Sequence, residues 1–149
     1  MRRKVFFILF IAALLSVSCA RNKKIDDMKG FINETVQLTE EFIIRITEAV
    51  DENDIVSTIE SFGSNITLLE EKSRAMKKKY PDIDSLFDEP PAELTDVLNR
   101  LHIAEKKVED ILKSERVKEL IKDGKVQSAF TELVNELEKI KFFQEKHFE

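Results

Sequence analysis

The sequence predicts an all-α fold, and more specifically an antiparallel four-helix bundle. The 149 residues include only 3 Gly, 3 Pro and no Trp, with abundant Glu, Lys, Leu and Ile, which is typical of helices joined by few turns. Apolar residues recur at steps of three and four in four successive segments, which indicates one buried face on each helix. The connections are short apart from one longer loop, so consecutive helices are expected to run in opposite directions.

The first two helices are predicted from their caps and their apolar faces. Asp26 or Asp27 is expected to cap the first helix and Asp54 the second, because a carboxylate there accepts the first backbone N–H groups. The second helix is expected to end at Tyr80, since the residue before Pro81 is disfavoured in α geometry. The first apolar face consists of Met28, Phe31, Ile32, Thr35, Leu38, Phe42, Ile46 and Val50. The second consists of Ile55, Ile59, Phe62, Ile66, Leu69, Ser73 and Met76.

The long connection is predicted at residues 81–91, with Leu86 and Phe87 lying against the bundle. Pro91 is expected in the first turn of the third helix. Backbone N–H groups there have no acceptor within the helix, so the missing N–H of proline costs no hydrogen bond. The buried side of that helix is predicted from Leu94, Val97, Leu98, Leu101, Ala104, Val108, Ile111 and Leu112.

The remainder of the chain is expected to form one further helix after a break. Ser114 is predicted to interrupt the third helix, and Asp123-Gly124 to stop it, with Gly124 in the left-handed conformation. The last apolar face consists of Val126, Phe130, Leu133, Val134, Leu137, Ile140 and Phe143. An alternative is a helical hairpin or coiled coil that dimerises, since apolar faces this regular also suit oligomers.

The first eighteen residues have the three-part layout of a secretory signal peptide. Residues 2–4 are positively charged, residues 5–15 are all apolar, and residues 16–18 are small or short just before Cys19. The apolar run is shorter than the roughly 20 residues that a transmembrane helix needs. We therefore expect residues 1–18 to be removed during export.

Leu15-Ser16-Val17-Ser18-Cys19 resembles a bacterial lipobox, in which Ser16 stands where leucine is usual and Leu15 lies one place further back. The resemblance implies a lipoprotein whose Cys19 carries a diacylglycerol on its sulfur, with fatty acyl groups such as palmitate. Two or three acyl chains give stable anchoring, whereas one holds a protein only marginally. The alternative is cleavage after Ser18 and release of a protein with a free thiol.

The predicted organisation is therefore a signal peptide (1–18), a lipidated cysteine with a polar tether (19–25), and one helical domain (26–149). Loss of the three positive charges of the signal changes the formal net charge from −5 to −8. An acidic domain argues against nucleic acid as a partner. The expected location is the cell membrane or an outer membrane, facing the periplasm or the cell surface.

The acidic loop offers a candidate metal site that fails on inspection. Asp82, Asp84 and Glu93 match positions 1, 3 and 12 of a calcium-binding EF-hand loop. However, positions 5 and 6 are Leu86 and Phe87, where a ligand and a turn glycine are needed. We predict no calcium site there.

No other set of residues predicts catalysis or a cofactor. His102 and Glu105 lie three residues apart on a helix, but zinc needs three or four ligands. The serines lack a Gly-x-Ser-x-Gly elbow, and the three glycines are too far apart for a phosphate-binding loop. The prediction is a protein that is not an enzyme and uses no metal or cofactor.

The leading hypothesis is a membrane-anchored lipoprotein that acts by contact with an unknown protein partner at the cell envelope, with homo-oligomerisation also open. Phe142 and Phe148 are the candidate contact residues, because Phe142 and Phe143 cannot both face the core. One alternative is a binder of a small apolar ligand, with polar positions such as Thr35 and Ser73 lining a pocket. Another is a secreted or periplasmic inhibitor or sensor.

Overall fold

A computed structural model describes the backbone of residues 2–120 and 122–139 and the side chains of residues 22–120 and 122–135. Within these ranges the chain is helical and contains no strand, which confirms the all-α prediction. The helices are α1 (Arg2–Glu48), α2 (Glu52–Lys79), α3 (Ser85–Asp88), α4 (Ala92–Leu112), α5 (Glu115–Leu120) and α6 (Gly124–Lys139). Ile121, Ile140 and Phe143, and the side chain of Leu137, lie outside the described residues.

The long helices pack in pairs that share α1 and α2. α1 packs against both α4 and α2, and α2 also packs against α6. Because α1 has two long helical neighbours within one chain, the fold is more than the two-helix hairpin of the alternative prediction. The packing is compatible with a helical bundle.

Contacts between side chains fix the directions of three helices. Lys79 bonds to Asp27 at 2.6 Å and Lys72 pairs with Glu34, so α2 runs antiparallel to α1. α4 runs in the same direction as α1, because its first turns share a core cluster with the early part of α1 and its last turns pack with the late part. Arg100 of α4 lies midway, with its guanidinium 3.7 Å from the Glu40 carboxylate of α1.

The core consists of two apolar clusters, one at each end of the helices. The first cluster contains Ile25, Met28, Phe31, Ile32, Val36, Leu69, Ile83, Leu86, Leu94, Val97 and Leu101. The second contains Phe42, Ile46, Ala49, Ile55, Ile59, Ile66, Val126, Ala129 and Leu133. These positions confirm the three-and-four spacing of the predicted faces, since most of the predicted apolar residues are buried or half-buried.

α1 begins earlier than the sequence predicts. The helix is continuous through residues 19–27, so neither Asp26 nor Asp27 caps it. Ile25, placed in the predicted tether, is buried in the first cluster. The apolar step from Ile25 to Met28 explains this, because burial of Ile25 favours extending the helix past the two aspartates.

The cap of α2 is Asp51 and not Asp54. The Asp51 carboxylate accepts hydrogen bonds from the backbone N–H groups of Asn53 and Asp54, at 2.9 and 3.0 Å. The Asp54 carboxylate instead accepts the N–H of Val50, at 3.0 Å. The Asp51 carboxylate therefore bonds to residues that follow it, and the Asp54 carboxylate bonds to a residue that precedes it. Only Asp51 satisfies N–H groups in the first turn of α2.

The end of α1 also differs from the prediction. Val50, predicted on the buried face, is 89% exposed, and Ala49 is buried in its place. The α-helix has ended at Glu48, so Val50 no longer follows the helical repeat. Arg116 of α5 donates to the carbonyl oxygens of Thr47 and Ala49, which satisfies acceptors that a helix end leaves without partners.

The long connection between α2 and α4 is held by apolar side chains. It contains the single helical turn α3, and Leu86 and Phe87 pack against the first cluster as predicted. Ile83 of this connection is also fully buried, which the apolar spacing does not predict. Pro91 is the cap residue of α4 and not its first helical residue, a shift of one position.

Asp123-Gly124 starts α6 instead of stopping the preceding helix. Gly124 is the first residue of α6, and no glycine among the described residues has a positive φ. The Asp123 carboxylate accepts hydrogen bonds from the N–H groups of Lys125 and Val126, at 2.8 and 3.4 Å. The break near Ser114 is confirmed, since α4 ends at Leu112 and α5 follows.

We expect Ile83→Ala to lower the free energy of unfolding by about 2–5 kcal/mol, because it removes a buried aliphatic side chain from the first cluster. The matched control is Ile103→Ala on α4, where the isoleucine is 54% exposed and the loss is expected to stay below about 1 kcal/mol. Urea denaturation measures both. Equal losses for the two variants would contradict the packing of the loop.

We expect Gly124→Ala to stabilise the fold by about 0.4–1 kcal/mol, because Gly124 has a helical backbone and an added Cβ meets no atom within 4 Å. The left-handed conformation that the sequence suggested would reverse the sign, since a Cβ there costs about 1–2 kcal/mol. Gly30→Ala in α1 is the matched control, as its Cβ also meets open space. Thermal unfolding of the wild type and the two variants measures whether each substitution raises or lowers the stability of the fold.

Candidate functional site: the Asp27 end of the bundle

Cys19, the predicted lipidation residue, lies in the first part of α1, and its side chain is outside the described residues. Five positions further along the chain, Lys24 bonds to Asp82 in the loop after α2. Because Cys19 is the residue for which the sequence predicts a modification, the end of the bundle that follows it is the candidate site. None of the described residues belong to a helix with the length and apolar character that a membrane crossing requires.

We call this region the Asp27 end and define it by residues 24–27 of α1, the end of α2 at 77–80, and the loop at 81–84. At its centre the Asp27 carboxylate accepts hydrogen bonds from the Lys79 ammonium at 2.6 Å and the Tyr80 hydroxyl at 2.7 Å. The Lys79 ammonium also lies over the Tyr80 ring, 4.9 Å from its centroid. These contacts connect the end of α2 to α1 at Asp27.

The charges in this network stabilise one another. Hydrogen bonds from Lys79 and then Tyr80 hold the pKa of Asp27 below its ordinary value. The same bond to Asp27 raises the pKa of Lys79, so the two partners shift in the directions that an ion pair requires. Both groups are therefore charged at neutral pH.

The loop acids that resemble a calcium-binding set are paired with lysines. The Asp82 carboxylate accepts a hydrogen bond from Lys24 at 2.8 Å, and this bond lowers the pKa of Asp82. The Asp84 carboxylate lies 3.5 Å from the Lys77 ammonium. These pairs tie the loop to both α1 and α2. Asp82 and Asp84 therefore act as ion-pair partners within the fold.

The histidine and glutamate predicted to lie near one another do share one helix face of α4. His102 is exposed and Glu105 is half-buried. Burial raises the pKa of Glu105, and the positive charge of His102 lowers it by a smaller amount. Among the described side chains, no three His, Cys, Asp or Glu residues converge on a point where a metal ion would fit.

The phenylalanines divide between the core and the undescribed end of the chain. Phe31 and Phe42 are buried, and the rings of Phe42 and Phe62 stack with centroids 4.4 Å apart. Phe142 and Phe148, the predicted partner contacts, lie outside the described residues. That prediction stays a prediction.

The polar positions proposed to line a ligand pocket lie within the helical packing. The Thr35 hydroxyl donates to the Phe31 carbonyl at 3.0 Å, so it already has a partner within α1. Ser73 is buried in α2. Neither residue needs a bound molecule to account for its position.

Sequence reasoning missed the ion pairs that define the Asp27 end. The sequence predicts Asp27 only as a possible cap of the first helix. Lys79 is 52 positions from Asp27 and Lys24 is 58 positions from Asp82, so no local spacing predicts either pair. The only signal in the sequence is the presence of opposite charges at the ends of two helices expected to be antiparallel.

We expect Asp27→Asn to lower the free energy of unfolding by about 1 kcal/mol at neutral pH, since it removes a partly exposed ion pair. Because the folded pKa of Asp27 is lowered, this stabilisation is present above the ordinary value of 3.8 and is lost as the pH falls through the folded value. Urea denaturation of wild type and variant at pH 7 and in acid measures it.

The expected result is a difference between the two proteins that shrinks as the pH falls. Asp96→Asn, at an exposed position on α4, is the control and should change stability little at either pH. A difference between wild type and Asp27→Asn that stays constant with pH would contradict the ion pair.

Comparison of this chain with models of protein families, with curated proteins and with solved structures gives no match. Function is therefore inferred from the chain itself. The features used are the charged and apolar N-terminal segment, the position of Cys19, and a helical domain whose described core includes Ile25, six positions after that cysteine.

Proposed function

We propose that this chain is a small bacterial lipoprotein, exported and held in a membrane of the cell envelope by lipid on Cys19. Its helical domain acts by contact with another protein and carries out no reaction of its own. The observation that supports this most directly is the order of residues 2–19: a basic start, an apolar run, small residues and then the single cysteine of the chain.

The described fold agrees with this proposal in one respect. Among the side chains that the structure describes, which start at residue 22, Ile25 is buried in the core six positions after Cys19, so a folded domain lies close to the proposed anchor. Phe142 and Phe148 remain the proposed contact residues for the partner. The paired acids of the loop and the internal bond of Thr35 give no comparable support for a metal site or a ligand pocket.

We propose further that the long helices form one four-helix bundle in which consecutive helices alternate in direction. α1 and α4 run one way, and α2 runs the other. A Cβ on Gly63 of α2 would lie 3.9 Å from the Leu133 side chain of α6, and Val126 shares the second cluster with Ile55 and Ile59. These contacts support α6 as the fourth member, running in the direction of α2.

Intact-mass measurement of protein extracted from membranes tests the lipid anchor. Wild type is expected to start at Cys19 and to carry two or three acyl chains, and Cys19→Ala is expected to lack them and to leave the membrane fraction. Ser18→Ala is the matched control, because it keeps a small residue before the cysteine and should retain the lipid. An unmodified mass beginning at Cys19 would reject the proposal.

A further inference from the structure

The distance between the proposed anchor and the folded domain is short. Lys24 follows Cys19 by five residues, and a helix rises about 1.5 Å per residue, so the two backbones lie about 7–8 Å apart along α1. Even a fully extended segment of five residues spans at most about 18 Å. The first packed residues of the domain therefore stay within that distance of the lipid-bearing residue.

The Asp27 end brings other parts of the chain to the same level. The Lys24 ammonium donates a hydrogen bond to Asp82 of the loop, and the Asp27 carboxylate accepts hydrogen bonds from Lys79 and Tyr80 at the end of α2. Ile83 of this loop is fully buried in the first cluster, so the loop is attached by packing as well as by charge. These contacts attach the end of α2 and the loop to the Lys24–Asp27 segment of α1.

The opposite end of the molecule lies far from the anchor. We call it the Ala49 end and define it by residues 49–54, 113–120 and 122–124. Ala49 follows Cys19 by thirty residues of continuous helix up to Glu48, which places it about 45 Å away along α1. Arg116 fixes α5 at this end through the carbonyl oxygens of Thr47 and Ala49.

We propose that the Asp27 end rests on the surface of the phospholipid bilayer and that the Ala49 end points away from it into the aqueous compartment. This inference rests on the proposed lipid anchor and adds to it the face that meets the membrane.

The anchor, and not surface charge, sets this orientation. Lys24, Lys77 and Lys79 are each paired with an aspartate. With Lys78 and Asp26, the Asp27 end as defined contains four lysines and four aspartates, so its formal charges cancel. Attraction of a membrane for basic residues needs an excess of them and an anionic leaflet. The contact is therefore expected to be independent of the content of anionic lipid.

A pair of cysteine variants of the lipidated protein tests the orientation. Glu89→Cys lies at the end of α3 and Glu52→Cys at the start of α2, and both glutamates are exposed. Each variant is labelled with a thiol-reactive fluorophore and placed in phosphatidylcholine vesicles that contain a nitroxide on the lipid headgroup. Since α2 separates the two levels by about 40 Å, we expect quenching at position 89 to exceed that at position 52 by about threefold or more.

Equal quenching at the two positions, or stronger quenching at position 52, would overturn the orientation. The measurement is repeated with phosphatidylglycerol added to the vesicles. Unchanged quenching at position 89 supports orientation by the anchor. Quenching at position 89 that occurs only with the anionic lipid would overturn the proposal, because charge would then hold the domain at the surface.

The number of fluorophores bound per protein distinguishes failure of the proposed orientation from failure of the proposed lipid anchor. A thioether on Cys19 cannot react with the fluorophore, so each lipidated variant takes one label and the unsubstituted protein takes none. One label with equal quenching overturns the orientation alone. Two labels on a variant show a free Cys19 thiol, in which case the lipid anchor itself fails and the orientation fails with it.

Discussion

Burial of the apolar face of α1 is the interaction on which the other helices depend. Met28, Ile32 and Val36 are fully buried, and each such side chain contributes about 1.5–3 kcal/mol relative to exposure. Both core clusters contain residues of α1, and α1 packs against α2 and α4. α2 also contributes to both clusters, through Leu69 in the first and Ile55, Ile59 and Ile66 in the second, so the two ends of the bundle are joined by the packed pair α1 and α2.

Polar groups in this packing are satisfied locally, which allows a helix to be buried over much of its length. The hydroxyls of Thr39 and Thr58 are buried, and each donates to the carbonyl oxygen four residues earlier, at 2.8 and 2.7 Å. Helix ends are satisfied by side chains, with Asp51 and Asp123 at N-termini and Arg116 at the end of α1. The turns are therefore determined by single charged residues more than by glycine or proline.

Sequence pattern predicted the buried faces well because burial repeats every three or four residues within one helix. Ile55, Ile59 and Ile66 of α2 lie in the core as that spacing requires. The caps were harder to predict, since Asp51 and Asp54 are both acceptable residues and differ only in which N–H groups they reach. The ion pairs of Asp27 with Lys79 and of Lys24 with Asp82 could not be located, because their partners are 52 and 58 positions apart.

The packing of α1 at Ile25 would couple the folded domain closely to the proposed anchor at Cys19. A long flexible tether would let a domain sample many orientations, whereas the described helix passes from residue 22 into the core at Ile25 without a break. The Asp27 network then carries this constraint to α2 and the loop, because Lys79 and Asp82 are bonded to the first turns of the packed helix. A protein anchored at Cys19 would therefore hold the Ala49 end at a distance from the membrane that is set by the length of α1.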